Sequence, residues 1–397
     1  MFHRALILPA IAALSLSLPA QGPHAFGTVS GYVYCNDTNA PARLASVTLR
    51  PVTAANVAAS SKSDLSTGVE ARVIHTLLDG SFTIPKVAPG TYYVIASMEG
   101  YVSPLAVLAV SNSDLLDPSE DLRKSLLKVV PTVTVEASQT ASVNIGLQRG
   151  GSIGGTILFE DGSPAPGLEV DLLTRKKDKW VHVETGAADG MSGSARTDDR
   201  GAYRISSIPP GEQFLIKVVL STANFNVYYG KGGTSYYSQP EFTLSFYTGG
   251  TLRPSAAKPF ALTLGEERPG EDIVLPLSKL HRLQGAVVAQ HDGHILNQAT
   301  VQLLFADDQS PLGGTALSRD ASRFSFAFVP EGDYILRVSN AGDARYDDMP
   351  NPPGSVPPTH SETHTLRTYG SIDLPIHIES DRLELSVPVP DKAPPRP

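Results

Sequence analysis

The chain has 397 residues, enough for two or three domains, with 41% hydrophobic residues and a formal net charge of −8. That mild acidity, with no basic stripe, argues against a nucleic-acid partner, and the single cysteine, Cys35, excludes an internal disulfide, so packed cores must hold the fold. Its 34 glycines and 32 prolines exceed the usual combined share of about 12% and suit a turn-rich β protein.

At the N-terminus, "MFHRALILPAIAALSLSLPAQ" places Arg4 ahead of an apolar run that ends at Pro19-Ala20. Residues 1–20 read as a signal peptide, which implies a secreted or periplasmic protein of the cell envelope. The run is short and contains Pro9, whereas a spanning helix needs about 20 apolar residues. No later segment could span, so no integral membrane segment is expected after cleavage.

A first unit is expected over residues 27–148. "VSGYVY" and "ASVTL" are strand signals, and Cys35 reads as a small strand residue. In "DGSFTIPKVAPGTYYV", Phe82 and Ile84, then Tyr92 and Val94, alternate with period two about Pro89-Gly90. This predicts a hairpin-like corner with Gly90 at the positive φ of a type II turn. "DPSEDLRKSLLKV", Asp117 to Val129, predicts a short inserted helix with Asp117 as cap, Pro118 at the first position, Glu120 three residues after the cap, and Leu122, Leu126 and Val129 on one face. "TVTVEASQTASVNIGL" closes the unit with two more strands.

The second unit, 149–278, repeats the order with "IGGTIL", "LEVDL", "DDRGAYRISSIPPGEQFLI" and "FALTLGEERPGEDIVL". Its "RKKDK" stretch, Arg175 to Lys179, reads as a solvated hairpin tip. Residues 224–247 are rich in aromatics, and Tyr228, Tyr229, Tyr236 and Tyr237 flank a Gly-rich tip. On strands only one member of each tyrosine pair can face a core. Either the hairpin packs on its own sandwich or these four rings form a ligand-binding face, since tyrosines stack on sugars and anchor protein interfaces.

The third unit, 279–390, carries "LQGAVV", "ATVQL", "RDASRFSFAFVPEGDYILRV" and "IHIESDRLELSVPV". Two histidine sets lie here. "HDGH", His291 to His294, reads as a turn with exposed histidines, and "HSETH", His360 to His364, lacks the H-E-x-x-H glutamate and follows a Pro-rich stretch that indicates a loop. No metal site and no cofactor are expected. Nucleophile-elbow and phosphate-loop motifs are absent, and "GKGGTS" at Gly230 lacks the phosphate-loop spacing. No catalytic residue is assigned.

The units are copies of one another. Phe82, Tyr203 and Phe324 stand 121 residues apart, each followed eight residues later by Gly90, Gly211 or Gly332, while Gly31, Gly155 and Gly285 mark the first strands. Gln213 breaks the pattern where the other copies have Tyr92 and Tyr334. So long a period fits a whole small domain rather than a solenoid. The predicted class is all-β, three tandem Ig-like or transthyretin-like β-sandwich domains with one short inserted helix.

The sequence of a Gly-bearing strand, "APARLASVTL" or "SPAPGLEVDL", and "DG.F.I..V.PG.Y" resembles the carboxypeptidase regulatory-like domain, a transthyretin-like or Cna-B-like sandwich, over most of residues 27–390. The resemblance implies an accessory, non-catalytic module with a carbohydrate-binding-like fold. The metallocarboxypeptidase zinc motif is missing, and so is a lysine on "TVSGYVY", "SIGGTILF" or "RLQGAVV" for a Cna-B-type isopeptide crosslink. The expected function is therefore non-enzymatic binding of a carbohydrate or another envelope polymer by a monomer. The alternative is a structural or adhesion scaffold, or an accessory protein of an outer-membrane receptor, with a glycan or an envelope protein as partner.

Overall fold

A computed structural model of the chain describes residues 26–52, 73–108, 118–183, 193–230, 233–316, 322–348 and 361–392; side chains of 222–230, 233–241, 315–316, 347–348 and 361–362 lie outside the description. Two compact units are formed, Met1–Met98 with Ser103–Gln148 and Glu99–Val102 with Arg149–Pro397.

The first unit contains strands β1 Gly27–Cys35, β2 Ser46–Pro51, β3 Val73–His75, β4 Ser81–Val87 and β5 Gly90–Ser97. The two-residue β6, Tyr101–Val102, groups with the second unit, and β7 Thr132–Val135 and β8 Thr140–Arg149 complete the set. One sheet is ordered β4-β1-β8 and the other β3-β2-β5-β7. Strand β1 is central, antiparallel to β4 and parallel to β8. Its alternation puts Val29, Val33 and Cys35 inside with Phe82, Ile84, Val47 and Leu49, while Tyr32 and Tyr34 face outward. Every residue from Tyr92 to Ala96 is buried because both faces of β5 are covered. Tyr93 and Ile95 lie under two helices, α1 Pro104–Val107 and α2 Glu120–Val129, through Leu105, Leu126 and Val130.

The predicted helix is thus present but differs in detail, and a second short one accompanies it. Ser119 caps α2, accepting from the Leu122 amide at 3.3 Å, so Pro118 precedes the cap; Asp117 lies outside the described residues. Leu126 and Val130 are the buried anchors, and Val129 is exposed.

The second unit holds β9 Gly151–Phe159, β10 Glu169–Lys176, β11 Lys179–His182, β12 Ser194–Arg196, β13 Ala202–Ile208, β14 Gly211–Gly230, β15 Gly233–Tyr247, β16 Phe260–Leu262, β17 Glu267–Arg268 and β18 Ile273–Leu275. It continues with β19 Leu280–Ala289, β20 Gln298–Phe305, β21 Pro311–Ala316, β22 Phe324–Pro330, β23 Gly332–Asp348, β24 Ser361–Thr368, β25 Ile372–Ile378 and β26 Arg382–Val389. The arrangement of the first unit recurs in both halves. β9 pairs antiparallel with β13 and parallel with β18, and β19 pairs antiparallel with β22 and parallel with β26. In the opposing sheets β10 pairs with β14 and β20 with β23. The basic tip is the β10–β11 turn, with Lys176 opposite Lys179.

The recurring glycines have a shared cause. In register, Gly31 faces Phe82, Gly155 faces Tyr203 and Gly285 faces Phe324. A Cβ at each glycine would strike the carbonyl oxygen of Val143, Glu271 or Leu385 and the aromatic ring opposite. The ring covers a gap that only glycine leaves, which lets the last strand approach the first.

At the Pro-Gly corners the structure corrects the hairpin expectation. β4 and β5 belong to different sheets, so the chain crosses from one layer to the other. Gly90 and Gly332 have φ of 154° and 152°, far from a type II turn's value near +80°. Each crossing is braced by a tyrosine. Tyr92 donates to the Ala88 carbonyl at 2.9 Å and Tyr334 to that of Pro330 at 2.9 Å. Gln213 stands at this position in the middle copy, where the Phe214 ring packs over Gly211 instead. Two buried threonines, also 121 residues apart, stitch the preceding loop: Thr76 donates to Ala42 and accepts from Ala45, and Thr197 donates to Ala165 and accepts from Leu168.

The sequence boundary at 278/279 runs through one continuous apolar core, which includes residues from Ile153 to Val389. Phe242 of β15 meets Phe326 of β22 edge-on at 5.2 Å, and Gly313 leaves room for its ring. Beside this contact Arg253 forks onto Asp307 at 2.7 and 2.8 Å, reaches Asp308 at 3.1 Å and lies 3.7 Å over the Phe305 ring. The guanidinium holds the Asp307 carboxyl down at about 2. A carboxyl depressed in the folded state contributes stability above its ordinary value of 3.8, and the contribution fades as pH falls toward the folded value. An Arg253→Leu variant should therefore return the Asp307 titration, followed by carboxyl-carbon NMR, toward 3.8. An unmoved midpoint would show that Arg253 is not its cause.

One point of the frame differs in every copy. After the fifth strand the first copy inserts α1 and α2, the middle copy prolongs β14 and β15, and the third prolongs β23 and β24. β10 pairs with β14 only over Phe214–Val219, but β14 and β15 stay paired out to Gly230 and Gly233. A two-stranded ribbon therefore extends past the sheet, and β23–β24 does the same over Gly342–Asp348.

Candidate functional site

Tyr228, Tyr229, Tyr236 and Tyr237 lie in the β14–β15 ribbon, with Val227 opposite Tyr236, Asn226 opposite Tyr237, Tyr228 opposite Ser235 and Tyr229 opposite Thr234. Their side chains lie outside the described residues. The backbone brings the two pairs to the same end of one ribbon.

For "HSETH" the structure replaces the expected loop with strand. Ser361 to His364 begin β24, and His360 lies outside the described residues.

The described residues gather titratable side chains most densely around "HDGH". This is the turn between β19 and β20, closed by an Ala289 amide bond to the His294 carbonyl at 2.9 Å and turned at Gly293, φ 77°. The middle copy has a turn one residue shorter, closed from Phe159 to Ser163, with the same Asp-Gly-X bonding: the Ser163 amide and hydroxyl both donate to Asp161 at 2.9 and 2.6 Å. In the third copy Asp292 accepts from the His294 amide at 3.1 Å, and its Oδ1 lies 2.6 Å from His294 Nδ1. The other oxygen, Oδ2, lies 3.1 Å from His291 Nε2. One carboxylate therefore faces both imidazoles.

The outer ring nitrogens meet carboxylates as well. His294 Nε2 is 3.1 Å from Asp343 on β23, and His291 Nδ1 is 3.5 Å from Asp391. Tyr369, buried, donates to Asp343 at 3.0 Å, and burial together with that carboxylate raises its phenol. Arg367 pairs with Asp391 at 2.9 Å and approaches His291 Nε2 to 3.3 Å. The Asp292 bond, then Asp343, raises the His294 imidazole above its ordinary value. The sequence marked the turn, and His291 is exposed as expected whereas His294 is half-buried; Asp343, Tyr369 and Asp391 are remote in sequence and become neighbours through the β20–β23–β24 pairing and the Tyr369–Asp391 bridge.

A second charged group, Asp171 on β10, is buried with Lys217 Nζ at 3.3 Å and His182 Nδ1 at 3.8 Å. It is a paired charge within a sheet.

No family model matches the chain, and no curated protein does. Solved structures align at low similarity. A Streptococcal ancillary pilin is 12% identical over 93% of this chain and 99% of its own, with a TM-score of 0.25. The minor pilin of Streptococcus agalactiae is 11% identical over 62% and 98%, TM-score 0.26. The Bacillus anthracis TIE protein is 12% identical over 92% of this chain, which spans 51% of that protein, TM-score 0.20. Likeness at this level carries no functional inference.

Proposed function

We propose that the protein is an exported, non-catalytic scaffold of the cell envelope, in which three carboxypeptidase regulatory-like sandwiches, 27–148, 149–278 and 279–390, display inserted segments for adhesion or polymer binding. The observation behind this reading is the constant frame with three different insertions at one point, two helices and two ribbons. Apolar residues fill the frame, the two helices pack on it, and the two ribbons run past its sheets, which is the division of labour expected of a rigid support carrying recognition segments. The tyrosine ribbon is the place where a glycan or another envelope polymer would stack, and a monomer suffices for both tasks.

Removing residues 222–241 and joining 221 to 242 through a short Gly-Asn turn tests the reading. The frame should keep its thermal midpoint within a few degrees, because no third strand pairs with the ribbon among the described residues. If glycan-array retention by the parent chain vanishes in this variant and in Tyr228→Ala, Tyr229→Ala, Tyr236→Ala and Tyr237→Ala variants, polymer binding resides in the ribbon. Loss of folding on deletion would contradict the scaffold.

A further inference from the structure

We propose that the His291-Asp292-Gly293-His294 turn is a binding site for a divalent transition-metal ion of the zinc class, ligated by His291 Nε2, an Asp292 carboxylate oxygen and His294 Nδ1. One donor atom from each of these three residues lies within 4.8 Å of the other two. Two imidazoles and one carboxylate, with remaining positions open to water, form a donor set that such ions accept.

The surroundings argue for a site rather than a chance meeting of side chains. A ligating histidine usually gives its other ring N–H to a carboxylate, which fixes the tautomer and raises the basicity of the metal-facing nitrogen. His294 has that arrangement, and His291 has a carboxylate 3.5 Å from its outer nitrogen. Asp343 stands at His294 Nε2 and Asp391 at His291 Nδ1, while the inner nitrogens converge on Asp292. Tyr369 holds Asp343 in turn. His291 Nε2 lies between Arg367 at 3.3 Å, which has donors only, and Asp292 Oδ2 at 3.1 Å; in the neutral tautomer protonated at Nδ1 it presents a lone pair. A metal ion would take over that lone pair, and Arg367 would retain its 2.9 Å pairing with Asp391. The bound ion would fasten the β19–β20 turn, through the two outer carboxylates, to β23 and to the segment after β26.

The middle copy supplies the test variant. His294→Ser reproduces the Ser163–Asp161 bonding, so the variant keeps a known turn chemistry and should fold. Calorimetric titration of the full mature chain with Zn²⁺ should give one saturable site, weakened at least tenfold in His294→Ser and His291→Ala. Asp343→Asn, which leaves all three ligands in place, should weaken it by about 10- to 100-fold. Addition of Co²⁺ to the native chain should produce a visible d–d absorption and shift the ring protons of His291 and His294. The proposal is overturned by any of three results: no saturable binding, binding unaffected in His294→Ser, or Co²⁺ perturbing other histidines and leaving these two untouched.

Discussion

Phe242→Ala is expected to destabilise the second unit by about 3–5 kcal/mol, the usual cost of emptying a buried aromatic site. In a body of this size that corresponds to a midpoint shift on the order of 10 °C. The larger effect should be on cooperativity. Phe242 is 2% exposed, packs edge-on against Phe326 and occupies the space that Gly313 leaves open, so it joins the apolar interiors on either side of residue 279. The native chain should unfold its second unit in one calorimetric transition, because the two sandwiches share that core. Without the ring the Arg253 clamp on Asp307, Asp308 and Phe305 still ties the two copies, but their shared apolar contact is weakened and the transition should broaden or divide. Combining Phe242→Ala with Arg253→Ala should separate the transitions fully. Unchanged cooperativity in the double variant would mean that the sandwiches are coupled elsewhere.

This coupling also marks where the sequence stopped being informative. Period-two alternation in Phe82, Ile84, Tyr92 and Val94, and the 121-residue steps, were enough to place the strands and the repeats, since both are local signals. Whether neighbouring copies touch depends on surfaces far apart in sequence, and nothing local distinguishes Phe242, which joins two cores, from Phe246, which fills one. The corner misled for a related reason. Pro-Gly between two alternating runs looks the same whether the strands pair or part, and only the tertiary pairing of β1 with β4 and of β2 with β5 decides. Thr76 and Thr197 went unmarked in the sequence, since a lone threonine carries no sign of burial. At the candidate site, Asp292-Gly293 announced its turn, while the outer carboxylates Asp343, on β23, and Asp391, after β26, lie about 50 and 100 residues downstream.

Gly285→Val should have the second large effect, through a different mechanism. Gly285 sits at the centre of the third copy, between β22 and the parallel β26, where its Cα faces Phe324 on one side and Leu385 on the other. A side chain there would meet the Leu385 carbonyl oxygen, a backbone atom that cannot rotate away, and the tip of the Phe324 ring. Relief requires β26 to move outward, which breaks the parallel ladder from Leu385 to Val389 and uncovers Val387 and Val389. Overpacking of this kind costs at least ~3 kcal/mol when backbone must shift and hydrogen bonds are lost with it. Gly314→Ala is the matched control. It lies on β21 of the same copy, is exposed, and its added methyl would meet only Gln302 Cγ at 3.4 Å and the Val301 carbonyl at 3.6 Å, ordinary contacts. Urea denaturation should therefore show the midpoint falling sharply for Gly285→Val and staying within about 0.5 kcal/mol for Gly314→Ala. Hydrogen exchange should reveal lost protection along Ala286 to Ala289 in the first variant. If Gly285→Val matched its control, the close approach of first and last strands could not be the reason for the glycine, and the same account would fail for Gly31 and Gly155.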